Sequence, residues 1–191
     1  ELVKAIGGNN SAIGNRAIIA LKGMTFPEKD PALHAVALDR AVAERNRISA
    51  LRSLEPAAPE TEATLITVVS GRDPNTYRRV AADLLGTSNP SPAARAALTG
   101  AFAGASADLA LALATALAKS DTGAAELLDL AAAGKVRPSL LRHRYVALAL
   151  EKRPAALRTR ATELTRTLPP EDARLDALIA QRLGATARFK P

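Results

Sequence analysis

Ala105 to Lys119 reads ASADLALALATALAK, and how this stretch is wound decides the fold. Leu109, Leu111 and Leu113 alternate with alanine, the period-two pattern of a strand. Alanine, however, is the best helix former and a poor strand former, and no β-branched residue but Thr115 occurs here. Wound as a helix, Asp108, Thr115 and Lys119 fall with Ala112 on one narrow stripe at spacings of three and four. Leucine and alanine fill the rest of the circumference. A helix that is apolar nearly all round has to be covered on two or more sides. The stretch therefore predicts an inner helix, capped by Ser106, with neighbours packed on both flanks.

The composition agrees with such packing. Hydrophobic residues make up 48% of the 191 positions but aromatics only 3%, so the apolar mass is alanine and leucine, which suits close-packed helices rather than a sheet. No apolar run approaches the roughly eighteen residues of a membrane span. The start, Glu1-Leu2-Val3-Lys4, lacks the basic and apolar segments of a signal peptide and an initiator methionine. The expectation is a piece of a longer multidomain protein, with residues 1–191 forming one helical-repeat domain.

Outward from the central stretch, the same signals recur. On the N-terminal side, Gly7-Gly8 closes the tail of an earlier helix, and Asn10 or Ser11 caps a helix to Lys22 with Ile13, Ala17, Ile18 and Leu21 inward. Asp30-Pro31 opens a helix to Glu44, with Asp30 as cap and Leu33, Val36, Ala37, Ala41 and Val42 inward. Asn46 caps a short helix carrying Ile48, Leu51 and Leu54. Pro59 begins a helix with Leu65, Ile66, Val68 and Val69, closed by Gly71. Asp73-Pro74 repeats the Asp-Pro opening before Tyr77, Val80, Ala81, Leu84 and Leu85. Ser91-Pro92 starts the helix of Leu98 and Phe102. On the C-terminal side, Asp121 caps a helix with Leu127, Leu128 and Leu130, stopped at Gly134. Arg137-Pro138 begins a short segment leading to Tyr145, Leu148 and Leu150. Pro154 opens a helix to Thr167, and Pro170 opens the last, with Leu175, Leu178, Ile179 and Leu183 inward. The first helices of successive pairs start near Pro31, Glu60, Pro92 and Thr122, a period of roughly thirty residues, the spacing at which helix pairs stack into a solenoid.

The chemistry-bearing residues are sparse. With no cysteine, this stretch has no disulfide, thiolate metal ligand, thiol nucleophile or covalent haem attachment. Two histidines, His34 and His143, cannot make a three-histidine site, and His143 lies between Arg142 and Arg144, which repel a metal cation. No Walker or GxGxxG loop occurs. The carboxylate pairs Glu60/Glu62, Glu126/Asp129 and Glu171/Asp172 fall in first helical turns or on polar faces, where they complement the helix dipole and stay solvated. No residue is nominated as catalytic, cofactor-binding or metal-ligating.

The arginines carry the clearest functional signal, in a chain of formal charge +7. Arg40, Arg45, Arg47 and Arg52 form one group and Arg72, Arg78 and Arg79 another. The densest gathers Arg137, Arg142, Arg144, Lys152, Arg153, Arg158 and Arg160. Turned to one side by a repeat, Arg78, Arg79, Arg137, Arg142, Arg144, Arg153 and Arg158 would make a basic interaction surface suited to a phosphate backbone, although no aromatics interleave for base stacking.

Two segments are similar to a known family. Glu126-Leu127-Leu128-Asp129-Leu130 with Ala133 to Leu141 (AGKVRPSLL), and Leu168 to Ala180 (LPPEDARLDALIA), resemble the helical region of the bacterial membrane-bound dehydrogenase and haem-binding multidomain proteins. In that family a sugar-dehydrogenase-like β-propeller precedes HEAT-like repeats, and a c-type cytochrome domain follows. The resemblance covers about a third of the chain. It implies an exported, periplasmic or extracytoplasmic parent and a helical spacer between propeller and cytochrome, with neighbouring domains or another protein as partners. No haem residue has a counterpart here.

The sequence thus predicts an all-α protein, an α-solenoid wound as a right-handed superhelix of HEAT- or armadillo-like pairs. It acts as a non-catalytic scaffold, or alternatively binds DNA through its arginine ridge.

Overall fold

The computed structural model describes residues 6, 11–21, 24, 27–55, 58–87, 89–169, 179 and 182. Among these, every regular element is helical: α1 (Ser11–Leu21), α2 (Lys29–Leu38), α3 (Glu44–Ser53), α4 (Pro59–Ser70), α5 (Asn75–Leu85), α6 (Pro92–Gly100), α7 (Ala107–Ala118), α8 (Asp121–Ala132), a 3-10 turn (Pro138–Arg142), α9 (Arg144–Glu151) and α10 (Ala155–Thr165).

The alanine/leucine stretch is α7, an inner helix. Leu109, Leu113 and Leu117 are wholly buried, and α7 touches α5, α6, α8 and α9. Burying each leucine stabilises the fold by about 1.5–3 kcal/mol. Small alanines on the remaining faces let the neighbouring backbones approach. Ala112, expected on the polar stripe, is buried as well, because helices pack on that side too.

The neighbours alternate. Odd-numbered helices contact one another in sequence, α1 with α3, α3 with α5, α5 with α7 and α7 with α9. Even-numbered helices do the same from α2 through α4, α6 and α8 to α10. Consecutive helices also pack across the two rows, as α2 does on α3, α4 on α5 and α6 on α7. One core runs between the rows, from Ile18 and Leu33 through Leu51, Leu65, Tyr77 and Leu98 to Leu127 and Val146.

Local signals mostly act where expected. Pro59 and Pro92 occupy first turns, and Ser91 and Ser106 accept hydrogen bonds from Ala94 N and Leu109 N at 3.2 and 3.3 Å. Several expectations are corrected. Ile13 is 54% exposed, and Gly14, Ala17, Ile18 and Leu21 form the inner face of α1. The helix of Asp30-Pro31 begins at Lys29 behind Glu28, so Asp30 is not its cap. It ends at Leu38 because the Asp39 carboxylate accepts from Ala41 N at 2.8 Å and turns the chain. Asn46 is buried inside α3 rather than capping it. Ser120, not Asp121, caps α8, accepting from Gly123 N at 3.1 Å. Tyr145 and Leu148 point outward from α9, whose buried side chains are Val146 and Leu150. The expected cap at Asn10, the glycine closure after Ile6 and the leucines of the Pro170 helix lie outside the described residues, but Ile179, expected inward on that helix, is 49% exposed.

Candidate functional site

The most concentrated polar chemistry is an internal cluster at the junction of α2, α3 and α5. The Arg47 guanidinium donates through Nε to Ala37 O at 3.0 Å and through an Nη to Asp73 Oδ1 at 2.8 Å. It lies 4.2 Å from the centroid of the Tyr77 ring. The Tyr77 hydroxyl donates to the same Ala37 carbonyl at 2.7 Å. Arg40 reaches the other Asp73 oxygen from solvent at 3.4 Å. Ala37 lies in the last turn of α2, where carbonyls lack helical partners and the dipole is negative, so a cation and a hydroxyl are well placed there. Burial pushes the Tyr77 phenol above its ordinary value, and the Arg47 charge opposes this only in part. The functional groups of Arg47, Asp73 and Tyr77 are turned on one another, and the cluster acts as a clamp.

The device recurs one pair later. Arg78 donates through Nε to Val69 O, in the last turn of α4, at 2.9 Å. In both pairs an arginine of the second helix closes the end of the first.

The seven arginines of the expected ridge therefore separate. Arg78 is committed to Val69 and to Asn75, at 3.3 Å. Arg142 donates to Pro169 O at 2.8 Å, and Arg153 to Ala149 O at 3.3 Å and to Asp121 at 2.9 Å. Arg79, Arg137, Arg144 and Arg158 are exposed and make no ion pair among the described residues. Arg79 lies near Asp83, whose carboxyl is raised by desolvation against the pull of Arg79, Lys119 and Arg52. Arg142 and Arg158 line one groove and Arg137 another. Arg79 and Arg144 belong to the odd row, Arg158 to the even row.

A ladder of polar contacts joins equivalent helices of successive pairs. His34 Nδ1 lies 2.8 Å from Thr64 Oγ1, thirty residues on. Ser49 donates to Asn15, Thr76 to Glu44, Arg95 to Glu126 and Arg160 to Asp129, at separations of 34, 32, 31 and 31 residues. The Ser91 backbone N–H donates to Glu62, 29 residues back. So Glu62, Glu126 and Asp129 each serve a neighbouring helix. Glu171 and Asp172 lie outside the described residues.

In the sequence Arg47 stands in a group with Arg40, Arg45 and Arg52, and Asp73 in an Asp-Pro helix opening. Their pairing had one signal, an arginine and a carboxylate about one repeat apart, and the Asp-Pro motif masked it. Among the described residues no group of histidines and carboxylates is arranged to hold a metal ion, and no helix is long and apolar enough to cross a membrane. No family model, curated protein or solved structure matches the chain.

Proposed function

We propose that this chain is a HEAT-like α-solenoid, wound as a right-handed superhelix, that works as a non-catalytic spacer and interaction module. The observation that carries this reading is the ladder at separations of 29–34 residues, because it ties the even-numbered helices from α2 to α10, and the odd-numbered ones from α1 to α5, to their counterparts one pair away. A stack built only from nearest-neighbour contacts is quasi-one-dimensional and sets a distance between whatever is attached at its ends. The two segments resembling the dehydrogenase and haem-binding proteins favour a propeller and a c-type cytochrome as the domains held apart, in an exported parent. The DNA-binding alternative draws on the exposed Arg79, Arg137, Arg144 and Arg158. It is the weaker reading, since Arg79 and Arg144 stand on one row, Arg158 on the other and Arg137 on neither. A fall in DNA affinity of several orders of magnitude from low to moderate salt would favour it.

The stack is tested by removing one pair. Deleting residues 92–120 joins Ser91 to Asp121, so that one capping serine replaces another. With no native cysteine, Arg16→Cys and Thr162→Cys accept two labels. A solenoid keeps cooperative folding and shortens the label distance by about 10 Å, one helix spacing. Loss of folding, or an unchanged distance, overturns the proposal.

A further inference from the structure

We infer that the cavity between the start of α7 and the segment preceding α9 binds a carboxylate carried on an apolar body. The cavity has a volume of about 520 Å³ and an apolar floor that includes Phe102, Val136 and Leu140. Lys135 and Arg137 stand at its wall. Both are exposed and neither makes an ion pair among the described residues. His143 also lines it, and His143 Nδ1 is buried with no hydrogen-bond partner. A buried ring nitrogen without a partner costs free energy, and a turn of the ring toward the cavity would let it donate as an N–H to an anionic oxygen. Two cations beside an apolar floor, with no acid in the lining, select a negatively charged head and an uncharged tail. The size falls within the usual range of small-ligand pockets.

Three neighbouring acids leave these cations unopposed. Asp108 follows Ala107 in the first turn of α7 but is exposed and does not line the cavity. Lys135 also borders the groove of Glu126 and Asp129, yet those carboxylates are held by Arg95 and Arg160. The groove of Arg142 and Arg158 is a poorer candidate, because Glu151 lines it and Arg142 is already engaged by Pro169. The inference is independent of the spacing role.

The same chemistry could come from a free organic acid or from the last residue of a peptide, so both serve as probes. The full chain is titrated with 3-phenylpropionate, with N-acetyl-alanyl-phenylalanine, with the amides of both, and with inorganic phosphate, following backbone amide shifts. Saturable shifts at residues 135–143 are expected with the acids, about tenfold weaker binding with the amides, and none with phosphate. Tighter binding of the peptide acid assigns a peptide terminus, and equal or weaker binding a free acid. Lys135→Glu with Arg137→Glu should abolish binding while leaving helicity and melting unchanged, and His143→Phe should weaken it. Equal binding of acid and amide, binding of phosphate alone, shifts elsewhere, or undiminished binding to the charge-reversed variant would each overturn the inference.

Discussion

Arg47 and Asp73 form a salt bridge at 2.8 Å with side chains only 5% and 7% exposed. Each removes the charge of the other from an interior where a lone ion is costly. Removing one partner of a buried pair costs about 3–5 kcal/mol, because the remaining charge is stranded. Arg47→Ala should lose that much in urea unfolding, since it also strips a donor from Ala37 O and the cation from the face of Tyr77. Arg40 meets the same carboxylate from a side chain 62% exposed. Arg40→Ala should therefore cost no more than about 1 kcal/mol. Equal losses in the two variants would show that the pair is not the clamp described.

Tyr77 gives a pH test of the same cluster. Its phenol is raised above the ordinary 10.0, chiefly by burial, so the native state keeps this proton where the unfolded chain loses it. Stability from this group is complete below the unfolded value and is lost as pH climbs above it, by about 1.4 kcal/mol per pH unit. Tyr77→Phe should cost about 1 kcal/mol at neutral pH, a modest figure because Arg47 still donates to Ala37 O. The gap between wild type and Tyr77→Phe should then narrow as pH rises from 9 to 11, taken as about one unit either side of the free phenol. Parallel melting curves across that range would contradict the burial of this hydroxyl.

Gly86 and Gly100 predict opposite outcomes from the same substitution. A Cβ on Gly86 would stand 2.8 Å from Ala116 Cα, where the end of α5 abuts α7, and backbone cannot yield cheaply. Gly86→Ala should cost about 1–3 kcal/mol. A Cβ on Gly100, the last residue of α6, meets nothing within 4 Å. Gly100→Ala should be neutral or stabilise by up to about 1 kcal/mol, since alanine restricts the unfolded chain and favours the helix. Thermal melts of both variants decide the matter.

The helices were legible because their signals are local. Ser91, Ser106, Pro59 and Pro92 act within one turn, and the buried leucines of α7 follow from its composition alone. The period was legible too, since α2, α4, α6 and α8 begin at Lys29, Pro59, Pro92 and Asp121. What could not be read was the use of charge. Asp73 looks like a capping residue until α3 brings Arg47 against it, and Arg78 looks solvated until Val69 O is found at its tip. Ile13 has the right spacing for the core and misses it, because contact with α3 selects the face of Gly14 and Ala17. The cavity beside α7 had no sequence signal, since Phe102, Lys135 and His143 come together only through packing.

The start of α8 separates two residues that sequence alone confuses. Ser120 accepts from Gly123 N at 3.1 Å, whereas Asp121 sits in the first turn with its carboxylate on Arg153 at 2.9 Å. The Asp121 side chain is 59% exposed, so water and salt weaken that pair. Ser120→Ala should cost about 1 kcal/mol by orphaning an N–H of the first turn. Asp121→Asn, which removes the charge, should cost about 0.3–1 kcal/mol, combining a screened ion pair with a dipole contribution. Raising the salt should shrink the loss in Asp121→Asn and leave the loss in Ser120→Ala unchanged, because one is a charge interaction and the other a hydrogen bond. The reverse pattern in urea titrations at two ionic strengths would return the cap to Asp121.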